Sequence, residues 1–299
     1  MNMKKVRISV AVLFLCLMAV PFLSFARDVD PIVSTTWLEE NLTHSKLVIV
    51  DVRKVEDYKA GHVPNAVNVF YGSWAIMKEG FRNELPANDD LFDVIGSAGI
   101  GTDSIVVVVG KVDGIPDRSD VTRVAWTLKY AGIPNVAILD GGFNKWIADK
   151  KAVSTDVVKP KARPFHGKVN ENLFASKDYV SKNLGKAVIV DVREPDFFKG
   201  VKKLDFVTKT GRIAKAVNLP TSRAYNQEGT FKDKGELSKI ASGVVGNDLA
   251  KEIITYCDTG KVCTAWSFLL TELMGYKDVK TYDGSTEEWT KDPQAPWEQ

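Results

Sequence analysis

The chain has 299 residues, enough for two domains of ordinary size, and is 44% hydrophobic and 26% charged with a formal net charge of +2. That is a globular balance with ample core, and three cysteines are too few for a disulfide scaffold. The near-neutral charge lacks the basic surface that nucleic-acid binding requires.

The first 26 residues read as an export signal. Lys4, Lys5 and Arg7 form a positive start, and no acidic residue precedes Asp28. Ile8 to Leu23 is almost wholly apolar, and Ser24-Phe25-Ala26 supplies small residues at −3 and −1, which places cleavage after Ala26. An uncleaved membrane anchor is the alternative, because the apolar run is only slightly short of a span. Cys16 lies mid-run after Leu15, the wrong setting for a lipoprotein signal. Removing the three cations of residues 1–26 leaves 37 basic against 38 acidic residues, a formal charge of −1. The expectation is an exported, periplasmic protein that meets the membrane only through its leader.

The remaining chain alternates helical and strand patterns. Ser34–Leu42, Asp89–Ala98 and Val121–Ala131 read as helices. Val48–Val52, Val67–Phe70, Ile105–Val109 and Val136–Leu139 are short continuous apolar runs, as in a parallel sheet covered on both faces. This is an α/β pattern. Residues 152–167, with Pro160, Pro164 and several cations, read as a linker.

Beyond the linker the pattern repeats. Leu47-Val48-Ile49-Val50-Asp51-Val52-Arg53 recurs as Ala187-Val188-Ile189-Val190-Asp191-Val192-Arg193. The segment Gly61 to Val69 recurs as Gly211 to Leu219. Asp140-Gly141-Gly142 with Trp146 recurs as Asp283-Gly284 with Trp289. Three blocks in the same order describe two copies of one domain, expected over 27–151 and 168–299.

The second copy carries the chemistry. Ile253 to Tyr256 is strand-like, and Trp266, Leu269, Leu270, Leu273 and Met274 form one apolar helix face with Gly275 placed as its cap. Cys257 therefore sits where a strand ends, facing a helix start. Unpartnered N–H groups there, and a loop that Gly260 allows to curl, favour a thiolate or an anion attached to its sulfur. Cys263 is the other thiol of the mature chain. A residue at a helix start is expected to point away from Cys257, so Cys263 is read as a packing residue. Two cysteines without a nearby His make a poor metal site, and no cofactor is indicated.

The order Asp-Val-Arg at a strand end, Gly-His-Val or Gly-Arg-Ile before Ala-Val-Asn, a Cys-x-x-Gly loop, then Asp-Gly and Trp resembles the rhodanese sulfurtransferases. The resemblance covers nearly all of residues 32–290, in both copies. It implies two tandem rhodanese-like domains, each a mainly parallel sheet flanked by helices, of which the C-terminal one is catalytic. It implies transfer of a sulfane sulfur from a small donor such as thiosulfate to cyanide or a thiol, through a persulfide on Cys257. The loop Asp258, Thr259, Gly260, Lys261, Val262 and Cys263 would hold that persulfide with its N–H groups. Lys261 reads either as an attractor for an anionic donor or as a solvated surface lysine. Asp191 and Arg193 take positions that support the loop in the family, and by themselves read as an ion pair remote from substrate. In the first copy Gly110 stands where Cys257 stands, and residues 27–256 hold no thiol. That copy is expected to be non-catalytic, with a longer loop that includes Pro116, Asp117 and Arg118.

The chain also departs from the family. Asp258-Thr259 replaces both the basic residues of thiosulfate-specific members and the Gly-Ser-Gly of mercaptopyruvate-specific ones. Val262, Phe197 and Arg212 stand where relatives carry Arg, Arg and His. The less basic pocket keeps open a non-catalytic binding or scaffold protein, and a thiol protein gated by a Cys257–Cys263 disulfide. A phosphatase of the Cys-x5-Arg type fits poorly, because position 263 is cysteine and no guanidinium is there to clamp a phosphoryl group.

Overall fold

Runs of β-branched residues become the strands of two sheets. The computed structural model describes residues 27–299, and the expected leader lies outside the described residues. The first half carries β1 (Ile32–Val33), β2 (Leu47–Asp51), β3 (Val67–Asn68), a hairpin of β4 (Ile76–Lys78) and β5 (Phe81–Glu84), β6 (Ile105–Val109) and β7 (Asn135–Leu139). The second half carries β8 (Phe174–Ala175), β9 (Val188–Asp191), β10 (Arg212–Ile213), β11 (Val217–Asn218), β12 (Ile253–Tyr256), β13 (Val279–Tyr282) and β14 (Trp297–Glu298). One sheet has the order β1-β7-β6-β2-β3 and the other β8-β13-β12-β9-β11. Every pairing in both is parallel, so the two match strand for strand. The strands β10 and β14 make a separate antiparallel pair.

Helices cover both faces of each sheet. Those of the first half are α1 (Thr35–Asn41), α2 (Val55–Ala60), α3 (Asn88–Ser97), α4 (Ile115–Tyr130) and α5 (Gly142–Ala148). Those of the second are α6 (Lys177–Asn183), α7 (Pro195–Phe198), α8 (Lys234–Val245), α9 (Thr264–Phe268) and α10 (Ser285–Trp289). Alternation along β6 sends Val107 and Val109 into a core with Leu38, Tyr58 and Trp146, and Val106 and Val108 into another with Leu91, Ile95 and Val124. The second of these cores continues into the other half through Trp266, Leu237 and Ile253. The α3/α4 face of one domain and the α8/α9 face of the other thus share one apolar interior. Burial of that interior holds the two domains together.

The repeat is visible in hydrogen bonds. Ser34 and Ser176 each accept from the N–H three residues on, at 3.0 and 3.2 Å, and cap α1 and α6. Trp146 and Trp289 each donate from Nε1 to a carbonyl a few residues later, of Ala152 and Pro296.

Three sequence expectations change. The helix expected over Val121–Ala131 starts at Ile115, with Pro116 in its first turn, where a missing N–H costs nothing. The first-copy loop is therefore shorter than the cysteine loop of the second copy, not longer. The helix after the cysteine loop widens into a π-turn over Leu269–Leu273, where the Met274 N–H donates to Leu269 O at 3.0 Å. The wider turn leaves Leu273 and Met274 half-buried while Trp266, Leu269 and Leu270 are fully covered. Residues 152–167 join the two domains as expected, and do so as a strap laid on the first: Phe165 is buried edge-on against Phe92, and Arg163 N–H donates to Gly96 O.

Candidate active site

Between the end of β12 at Tyr256 and the start of α9 at Thr264, the chain wraps around a sulfur. Cys257 is 1% exposed. Burial opposes its charge, yet the Cys263 thiol and the N–H groups of Thr259 and Cys263 favour the thiolate and bring it down to about 7, against the charge of Asp258. Cys263 thus does not point away as expected. Its backbone is already helical, with φ −68° and ψ −20°, and helical side chains tilt back toward the N-terminus, here toward the loop. Burial and the neighbouring Cys257 push the Cys263 thiol well up, so it stays protonated and can donate. Both thiols are free.

The loop is shaped from the far side by Ser285. Its hydroxyl accepts from Cys257 N–H at 3.1 Å and Gly260 N–H at 3.0 Å, and donates to Tyr282 O. The Gly260 N–H is therefore engaged elsewhere and does not join the donors around the sulfur. Gly260 has φ +69°, and a Cβ there would lie 2.4 Å from Asp283 O, so both the curl and the close approach require glycine. Asp258 is held by Arg193 at 3.4 Å and by the Thr286 hydroxyl at 2.9 Å. Burial raises its pKa, and Arg193 opposes that.

The first domain reaches into this loop. Arg123, on α4, is fully buried. It donates to the Gly260 carbonyl at 2.8 Å, to Asn83 O at 2.7 Å and to both oxygens of Asp283. Burial opposes its charge, but the Asp283 carboxylate more than offsets this and keeps the guanidinium charged. Asn83 donates to the Thr259 hydroxyl at 2.8 Å and accepts from Tyr71 at 2.9 Å. Thr122 meets Thr264 at 3.1 Å. Residues of one domain thus hold the cysteine loop of the other.

Asp191 and Arg193 form a buried pair, with Arg193 Nη2 2.6 Å from Asp191 and 2.7 Å from Gly211 O. Tyr256, the last residue before Cys257, donates to Asp191 at 2.8 Å. Through Asp258 and Tyr256 the pair braces both sides of the cysteine. Asp51 and Arg53 repeat the arrangement in the first domain, where Arg53 reaches Gly61 O at 2.8 Å.

A rhodanese-like domain model matches residues 34–149 and again 176–292. The chain belongs to the rhodanese family. It is similar to a Mycolicibacterium smegmatis protein named "Putative thiosulfate sulfurtransferase", 33% identical over 272 residues, covering 88% of this chain and 94% of that one. It is also similar to the Thermus thermophilus "Sulfur carrier protein TtuD", 29% identical over 279 residues, covering 87% and 93%. Among solved structures, the anaerobic ergothioneine biosynthesis enzyme from Chlorobium limicola, in complex with trimethyl histidine, superposes with a TM-score of 0.78. That match is 22% identical and covers 90% of this chain and 70% of the other, a likeness of fold.

In this tandem rhodanese the residues singled out from the sequence have different fates. Thr259 and Cys263 face the Cys257 sulfur as donors, Asp258 opposes its charge, and the Gly260 N–H goes to Ser285 instead. Val262 is half-buried against the core. Lys261 is neither a free attractor nor a solvated lysine. It is ion-paired with Asp120 across the domain boundary and lies over the Tyr71 ring, 4.5 Å from its centroid. Arg212 is drawn off to Glu298 at 3.1 Å. Sequence reasoning missed Arg123, Asn83, Asp120 and Ser285. Ser285 did leave a signal, because the Asp-Gly-Gly of the first copy becomes Asp-Gly-Ser in the second. Arg123 left none, since an arginine inside a helix ordinarily faces water. Among the described residues no group of three or more His, Cys, Asp or Glu side chains is placed to hold a metal, and no helix is long and apolar enough to cross a membrane.

Proposed function

We propose that this rhodanese is a sulfurtransferase that carries a sulfane sulfur as a persulfide on Cys257. The observation that carries the reading is a fully buried thiol at the end of β12, wrapped by a loop whose N–H groups and neighbouring thiol favour the thiolate. With thiosulfate, the thiolate attacks the outer sulfur. The S–S bond of the donor breaks, its electron pair leaves with sulfite, and Cys257 becomes a persulfide anion. Cyanide or a thiolate then attacks the terminal sulfur, leaves as thiocyanate or a new persulfide, and restores the Cys257 thiolate. The N–H groups of Thr259 and Cys263 stabilise charge on the inner sulfur at both stages. The thiosulfate sulfurtransferase and sulfur-carrier names of the relatives agree with this chemistry. The test is intact mass after incubation with thiosulfate or mercaptopyruvate, followed by cyanide. The expected result is a gain of one sulfur that cyanide removes. No gain with either donor rejects the reading.

A second reading rests on the Cys263 thiol facing Cys257. A peroxide would oxidise the Cys257 thiolate to a sulfenic acid, and Cys263 would displace water from it to close a disulfide. Activity that depends on prior reduction, with loss of both free thiols in between, is its signature. Export with cleavage after Ala26 is also proposed, and N-terminal sequencing of exported protein starting at Arg27 is the result that supports it.

A further inference from the structure

Resting on the sulfurtransferase reading, we propose that the segment between α7 and β10 is the docking surface for the sulfur acceptor, and that this acceptor is a protein presenting its thiol within an acidic stretch. The two copies differ in length here. Arg53 and Arg193 make the same bond to a glycine carbonyl, at 2.8 Å to Gly61 O and 2.7 Å to Gly211 O. The first glycine lies 8 residues beyond its arginine and the second 18, so the copy with the cysteine carries ten residues that the other lacks. The added segment is held down on its inner side. Val207 is fully buried, and the Thr208 N–H and hydroxyl both bond to Thr290. The Phe206 ring lies against the Arg82 guanidinium of the first domain's hairpin, 4.2 Å from ring centre to guanidinium carbon.

The outer side is basic and apolar. Between Lys199 and Lys209 four lysines stand against one acid, Asp205, in a chain that is otherwise close to neutral. Lys203 and Lys209 give their ammonium groups to the carbonyls of Val207 and Asp292, which places them without cancelling their charge. Lys202 pairs with Asp196 at 2.8 Å, but both are well exposed and water weakens the pair. Among these lysines Val201 and Leu204 are 68% and 37% exposed. Aliphatic side chains rimmed by cations fit an acidic partner that also brings apolar contact. The segment adjoins the cysteine loop. Arg193 holds Gly211 O, at the segment's end, and reaches with its other nitrogen to Asp258, the neighbour of Cys257, at 3.4 Å. A protein partner covers about 800 Å² of surface, so one footprint takes in both the segment and the loop. A small thiol has no such footprint and gains nothing from the lysines.

The experiment uses the two-domain protein, loaded with sulfur from thiosulfate or mercaptopyruvate and then freed of donor. Three acceptors are compared: a cysteine peptide flanked by glutamates, the same peptide with glutamines, and 2-mercaptoethanol. The readout is the rate at which Cys257 loses its added sulfur, followed by intact mass. The wild type is expected to pass sulfur to the glutamate peptide about tenfold faster than to the glutamine peptide, with the advantage falling as salt is added. Combining Lys199→Gln, Lys202→Gln and Lys203→Gln is expected to bring that ratio to within about twofold of one, while the rate to 2-mercaptoethanol stays unchanged. The same three positions changed to arginine keep the charge and are expected to keep the ratio, which separates charge from a merely structural role. A ratio near one in the wild type, or one that survives in the glutamine variant, overturns the docking surface and leaves the sulfurtransferase reading standing. If neither donor loads Cys257, both fall.

Discussion

The two loops that end β6 and β12 occupy the same place in two copies of one sheet, and they have gone opposite ways. Gly110 O accepts from the Phe143 N–H at 2.9 Å, and Cys257 O accepts from the Thr286 N–H at 3.2 Å, so the two positions are equivalent. After Cys257 the chain takes six residues to reach its helix, and after Gly110 only four. The longer loop leaves room to curl donors around a sulfur. In the shorter one α4 starts early, and Val121 fills the space where a side chain at 110 would lie. The first copy has no thiol at this place, and its helix acts as a support, because Arg123 and Asp120 extend from that same α4 onto the cysteine loop. One copy carries a loop built around a thiol, and the other carries a helix that shapes that loop.

The sharpest break in this comparison is Cys257→Ser. Turnover with thiosulfate and cyanide should fall by at least about a thousandfold, and the mass gain should vanish, because the one thiol left in the loop, Cys263, is buried and held protonated. A variant that still transfers sulfur would move the nucleophile elsewhere.

Next in size is Arg123→Ala. It leaves the buried Asp283 carboxylate without its partner and should cost about 3–5 kcal/mol in urea unfolding. Arg123→Lys should recover part of the stability but not the bidentate hold on Asp283. A loss confined to the first domain, with the Cys257 thiol unaffected in its alkylation, would show that the clamp does not reach the loop.

Gly110→Cys tests the opposite loop. An added Cβ would sit 2.5 Å from Val121 Cγ2 and 3.2 Å from Val52 Cγ2. The variant should lose about 1–3 kcal/mol of stability by overpacking. It should gain no second persulfide, as peptide mapping after donor treatment would reveal.

The smallest effect concerns the second thiol. The rate of Cys257 alkylation by iodoacetamide should rise with pH through a midpoint of about 7. The thiolate is the reactive form, so the rate is low below that pH and reaches its plateau above it. Cys263→Ala removes a donor to the thiolate and should move the midpoint upward. Cys263→Ser, which keeps a donor, should retain sulfur transfer within about threefold.

How much of this could be read beforehand differs from residue to residue. The strand Ile105–Val109 was legible because five consecutive β-branched residues fit a strand buried on both faces. The repeat was legible because Asp-x-Arg, Gly-x-x-x-x-Ala-Val-Asn and Asp-Gly each answer a local backbone need that both copies share. The start of α4 was missed, because Pro116 and the charges Asp117 and Arg118 read as loop until they are seen in a helix's first turn. Cys263 is buried in the core as a packing residue, but its direction was misread, because its backbone already belongs to the helix, which turns its side chain back toward the loop.

By itself the sequence determined two parallel α/β domains and a single cysteine loop at a strand end, since both follow from contacts between residues close in the chain or repeated along it. Only the tertiary structure decided that Arg123 reaches Gly260 and Asp283, and that Asp120 captures Lys261. Those pairs are separated by more than a hundred residues. They depend on two sheets sharing one core, and no periodicity or spacing records the angle at which two domains dock.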